Sequence, residues 1–121
     1  MQNKVKNNEV ICVIEQSAPN YENADRLLKL GASRKMAGDI IGAIRAFKEA
    51  SKIKPEQPET WYHLGIALEE FGDVEGAITA LRAAVAIKPD YRRAWAVLGD
   101  ILHAANDSAG AEEAFQKASP T

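Results

Sequence analysis

The strongest constraint on this chain is a period. Trp61, Leu64, Gly65 and Ala77 return thirty-four residues later as Trp95, Leu98, Gly99 and Ala111. The same step backwards carries Gly65, Ala77, Ala84 and Pro89 onto Gly31, Ala43, Ala50 and Pro55. Self-similarity at a step of this size marks a chain of stacked supersecondary units, none of which buries its apolar face alone. The length of 121 residues suits one small domain.

Each unit reads as two helices. The first unit spans 24–57: Leu27, Leu30 and Gly31 lie at helical spacing, then Ile40, Ala43, Ile44, Phe47 and Ala50, with Pro55 at the end. The second spans 58–91. It opens on Pro58, which suits a first helical turn where its missing N–H is not needed, and continues with the stripe Trp61, Leu64, Gly65, Leu68 and Phe71. The third spans 92–121, with Trp95, Leu98, Gly99 and Leu102, then Ala111, Phe115 and Ala118. Residues 1–23 form a separate N-terminal segment, polar through Glu9 and apolar from Val10 to Ile14. Five residues suit a helix face or a strand equally. Pro19 disfavours helix at Ala18, and Asn20 or Asn23 can cap the first helix of the first unit.

Between the paired helices the chain reads Gly38-Asp39, Gly72-Asp73 and Asn106-Asp107. Gly, or the tolerant Asn, takes the left-handed conformation that closes a helix. The Asp accepts hydrogen bonds from the free N–H groups of the next helix and sits at its positive end. So short a link sets the two helices side by side and antiparallel. Gly31, Gly65 and Gly99 lie inside helices, where each costs roughly 1 kcal/mol against Ala. The expected return is close approach of the second helix, with Ala43, Ala77 and Ala111 facing them and Trp61, Trp95, Phe47 and Phe115 filling the wider gaps.

Several functions are disfavoured. A net charge of −2 argues against nucleic acid, which needs concentrated Lys and Arg. A single cysteine, Cys12, allows no internal disulfide and no cysteine metal cluster, and reads as a small hydrophobe rather than a reactive thiol. No apolar run can cross a bilayer. The run at 10–14 is shorter than a secretory h-region and is closed by Glu15, so a cytoplasmic location is expected. There is no phosphate-binding Gly-rich loop and no HExxH. His63 and His103 lie on different helices, which disfavours a shared metal and suggests solvated surface for both. The adjacent pairs Glu69-Glu70 and Glu112-Glu113 diverge around their helices and make poor acid/base pairs. The reading is of a non-enzyme without cofactor or metal.

The units resemble the tetratricopeptide repeat. The second keeps Trp61, Leu64, Gly65, Ala77, Ala84 and Pro89, with Leu81 where an aromatic is common. The third keeps Trp95, Leu98, Gly99, Ala111, Phe115 and Ala118, and the first keeps Leu30, Gly31, Ala43, Phe47, Ala50 and Pro55, with Leu27 in place of Trp. The resemblance covers about 24–118. It implies an all-α right-handed superhelical solenoid of three helix–turn–helix repeats, its concave groove lined by the first helix of each.

It also implies a protein or peptide partner in that groove. By the resemblance the lining is Asp25, Leu28, Ala32 and Lys35, then Glu59, Tyr62, Ile66 and Glu69, then Arg93, Ala96, Asp100 and His103, with Lys29 and His63 at the margin. Tyr62 and Ile66 would be its apolar centre. Some relatives grip the C-terminal carboxylate of heat-shock chaperones. The corresponding positions are Leu28, Ala32, His63, Arg93 and Val97, of which only Arg93 has suitable chemistry. With Asp25, Glu59, Glu69, Glu70 and Asp100 against Lys35 and Arg93, the expected partner segment is basic or mixed in charge. In the last helix Ser108 and Glu112 replace the apolar Val74 and Ile78 of the unit before, as a terminal cap requires, which predicts an array ending near Thr121. The alternative is a self-associating structural protein, a homo-oligomer formed through Val10–Ile14 or the uncovered first helix.

Overall fold

The computed structural model describes residues 21–119. The apolar stretch at 10–14, Cys12, Pro19, Asn20 and Thr121 lie outside them. Six α-helices follow one another: α1 (Tyr21–Met36), α2 (Ile40–Ile53), α3 (Pro58–Phe71), α4 (Val74–Ile87), α5 (Arg92–Ala104) and α6 (Ser108–Ala118). There is no strand among the described residues.

The local chemistry of the turns recurs three times. Gly38, Gly72 and Asn106 have φ of 90°, 103° and 67°, the left-handed conformation that ends a helix. Each time the next residue's N–H returns to a carbonyl in the last helical turn: Asp39 to Arg34, Asp73 to Leu68, Asp107 to Leu102. The three Asp side chains then accept the N–H of Gly42, Gly76 and Gly110, each at 3.0 Å. Sequence reasoning overlooked those three glycines. A Cβ at any of them would collide with the capping carboxylate.

The turns between units are tied differently. The indole N–H of Trp61 donates to the Pro55 carbonyl at 2.8 Å, and that of Trp95 to the Pro89 carbonyl at 2.7 Å. Each Trp thereby fastens its helix to the end of the preceding unit. The first unit, with Leu27 in this column, has no such tie to make.

The helices pair as α1 with α2, α3 with α4 and α5 with α6, and successive pairs join through α2–α3 and α4–α5. In addition α1 touches α3 and α3 touches α5, whereas, among the described residues, α2, α4 and α6 do not touch one another. The odd helices are therefore the crowded inner wall of a curved stack, and the even helices splay outward. This is an all-α helical-repeat solenoid. One core runs its length, including Phe47, Leu64, Leu81, Leu98 and Leu102 with a lattice of buried alanines.

Three packing expectations change. Phe71 is 58% exposed rather than part of the buried stripe, because it ends α3 beside the turn. Phe115 is 39% exposed while its counterpart Phe47 is fully buried, because α3 covers Phe47 and nothing described stacks on α6. The residues nearest the buried helical glycines are mostly not the alanines: Phe47 faces Gly31, Phe115 faces Gly99, and Leu81 with the Ala77 carbonyl oxygen faces Gly65.

Candidate functional site

The inner wall carries a cluster of rings. His63 stacks on Phe47 with centroids 5.8 Å apart and planes 19° from parallel. The Tyr62 ring meets His63 edge-on, with centroids 5.4 Å apart, and lies tilted by 39° against Tyr91 at 5.2 Å. The Lys88 ammonium lies 5.0 Å from the Tyr91 centroid, within cation–π range. Tyr62, His63 and Tyr91 are all half-buried, so the cluster combines apolar faces with reachable polar edges.

His63 is a correction to the reading of solvated surface. Burial pushes its pKa below the ordinary 6.5, Lys35 pushes it further down, and Glu59 partly opposes both. Tyr91 is held above its ordinary 10.0, first by burial, then by Glu59 and Tyr62, against the opposing Arg93. The charges of Glu59, Lys35 and Arg93 thus act on the aromatic cluster.

The depressed His63 pKa has a consequence for stability. The unfolded chain binds a proton at His63 near pH 6.5, and the folded chain binds it only lower. The contribution is therefore present above pH 6.5 and is lost as pH falls through the folded-state value. The urea midpoint is expected to drop between pH 7.5 and 5.5, and His63→Gln to flatten that drop. An unchanged slope in the variant would remove His63 as its source.

Of the other lining candidates, Leu28, Ile66 and Ala96 are half-buried, while Asp25, Ala32, Glu69, Asp100 and His103 are exposed. Lys35 of α1 reaches across to Glu70 of α3 at 3.3 Å. His103 is set apart from the aromatic cluster, in a recess at the α6 end with Ser108, Glu112 and Phe115. Among the described residues no group of three or more His, Cys, Asp or Glu could hold a metal ion. No described helix is long and apolar enough to cross a membrane.

Sequence reasoning missed Tyr91. It has no periodic signal, since Gln57 occupies the same place one unit earlier. A local signal was present. Tyr91 is the N-cap residue of α5 and its side chain makes no capping hydrogen bond, although Ser, Thr, Asp or Asn is preferred there. A broken local rule of this kind points to a role elsewhere.

Solved structures agree with this architecture. The crystal structure of MamA superposes with a TM-score of 0.77 at 30% identity, covering 87% of this chain and 60% of that one. A second MamA structure gives 0.76 at 25% identity, over 82% of this chain and 54% of that one, so the chain spans little more than half the length of these relatives. The TPR domain of Sgt2 from Aspergillus fumigatus gives 0.77 at 29% identity, covering 84% of this chain and 66% of that one. The first TPR domain of Spaghetti (RPAP3), bound to an HSP90 peptide, gives 0.79 at 18% identity, over 82% of this chain and 79% of that one, a likeness of fold alone. No curated protein sequence matches the chain. The Tetratricopeptide repeat family model matches residues 36–101 and again 68–121. With three helical hairpins in register behind that match, the chain belongs to the tetratricopeptide repeat family.

Proposed function

We propose that this chain is a protein-interaction module that holds an extended segment of a partner protein against its inner wall, as an adaptor, assembly factor or co-chaperone. The observation that carries the reading is the ring cluster of Tyr62, His63 and Tyr91, half-buried on the crowded face, with the charges of Glu59, Lys35 and Arg93 acting on it. Rigid aromatic anchors with a charged rim are the usual anatomy of a binding hot spot. The HSP90-bound Spaghetti domain supports a peptide as ligand for this fold. It does not extend to the same peptide here: at the carboxylate-gripping positions Leu28 and Val97 pack against the core, and Ala32 has no donor. A basic or mixed-charge segment fits better than a carboxylate terminus.

The test is a pull-down from source-cell lysate with the wild type beside Tyr62→Ala/Arg93→Glu. Losing one aromatic anchor is expected to cost about 2 kcal/mol, roughly thirtyfold in affinity, so a partner retained by the wild type should be absent from the variant. If both baits retain the same partner, the groove reading fails. If both retain mainly a second copy of this chain, the self-association alternative replaces it.

A further inference from the structure

Beyond the rings, the inner wall holds a second feature at the junction of the second and third units. A pocket of about 240 Å³ is lined by Val74, Ile101, Ala104 and Ala105, with the carboxylates of Glu69 on α3 and Asp100 on α5. Its floor is apolar, Ile101 is buried, and both acids are exposed. Neither acid belongs to any of the ion pairs among the described residues.

The period allows this junction to be compared with the one before it. One unit back, Glu69 corresponds to Lys35, Asp100 to Ile66 and Ala104 to Glu70. There the protein supplies its own cation: Lys35 crosses from α1 to α3 and pairs with Glu70 at 3.3 Å. A lysine suits such a place because its aliphatic stem lies on apolar surface while the ammonium meets the carboxylate. At the second junction the cation is gone, its anchor has become the methyl of Ala104, and two acids stand at the mouth instead. The apolar floor remains, with charge of the opposite sign around it.

We propose that this pocket receives a lysine or arginine side chain of the bound partner segment, which takes the place that Lys35 fills at the first junction. The proposal rests on the groove reading above and adds the partner's chemistry. The stem would lie along Ile101 and Ala104, and the cationic head would reach Glu69 and Asp100, giving charge-assisted hydrogen bonds and a fixed register. The segment would then be anchored at two points, the rings of Tyr62 and Tyr91 and this acidic pocket.

The test needs no knowledge of the partner. The probes are N-acetyl-lysine methylamide and N-acetyl-arginine methylamide, with N-acetyl-norleucine methylamide as the uncharged control, titrated into 15N-labelled protein. The charged probes are expected to shift the amides of Val74, Ile101, Ala104 and Ala105, and norleucine to bind at least about tenfold more weakly. Glu69→Gln/Asp100→Asn should weaken the charged probes by about tenfold or more with the fold unchanged by circular dichroism. Glu69→Lys/Ala104→Glu, which rebuilds the first junction's pair, should do the same. Absent shifts, equal binding of norleucine, or shifts that survive both double variants would overturn the pocket. Such a failure leaves the groove reading standing, since that reading is judged at Tyr62 and Arg93. A pull-down indifferent to Tyr62 and Arg93, with the pocket shifts intact, would overturn the groove reading alone.

Discussion

Phe47→Ala is expected to cost about 3–5 kcal/mol, the range for removing a fully buried aromatic. Phe47 is 0% exposed. Its ring lies against Gly31 on α1 and stacks on His63 of α3, so one side chain on α2 couples the first unit to the second. Small domains have only about 5–15 kcal/mol in total, and a solenoid's stability is a sum over units and their interfaces. The loss should therefore fall on the first unit, giving a urea transition by far-UV circular dichroism that is lowered and broadened. The internal control is Phe115→Ala. It occupies the same column two units later, but Phe115 is 39% exposed, and less than half the loss is expected. Equal losses for the two variants would mean that burial is not what sets the value of this column. The His63 titration adds a second readout: with the Phe47 ring removed, its pKa should move back toward 6.5.

Substitutions at Gly65 are expected to show the next largest effect, in a graded series. A Cβ there would lie 2.7 Å from Leu81 Cγ and 3.3 Å from the Ala77 carbonyl oxygen. Leu81 is fully buried and the carbonyl is backbone, so neither can yield without moving α4. Helix propensity favours alanine by about 1 kcal/mol, whereas overpacking costs about 1–3 kcal/mol. Steric crowding should win, with Gly65→Ala a net loss of up to about 2 kcal/mol and Gly65→Val about 3 kcal/mol or more. Gly99→Ala makes the comparison. The three atoms nearest its Cβ all belong to the Phe115 ring, the first at 2.6 Å, and that ring can swing toward solvent. The two terms should nearly cancel there. If thermal melts rank Gly99→Ala as the more damaging, the account of which neighbour can move is wrong.

These contrasts show where sequence reasoning was strong and where it stopped. The turns were legible because their causes are local. A left-handed residue followed by a capping Asp acts within a few residues, and it does so alike at Gly38, Gly72 and Asn106. The helical stripes were legible for the same reason, since 3.6-residue spacing decides which side chains share a face. Much of the inner-wall chemistry was not. Tyr91 reaches Tyr62 across two helices, and no spacing along the chain announces that contact. The Lys35–Glu70 pair likewise joins residues with a whole unit between them.

What the sequence determined by itself is the repeat, its register, its caps and the sign of its surface charge. Each arises from forces that act within one unit and are copied with the period. What only the tertiary structure decided is how equivalent columns differ. Phe47 is sealed while Phe115 is open, Lys35 is paired while Glu69 is in no ion pair among the described residues, and His63 is half-buried rather than bathed in water. The physical reason is that a column's identity is set within its unit, whereas its burial and its field are set by whatever stacks on the next.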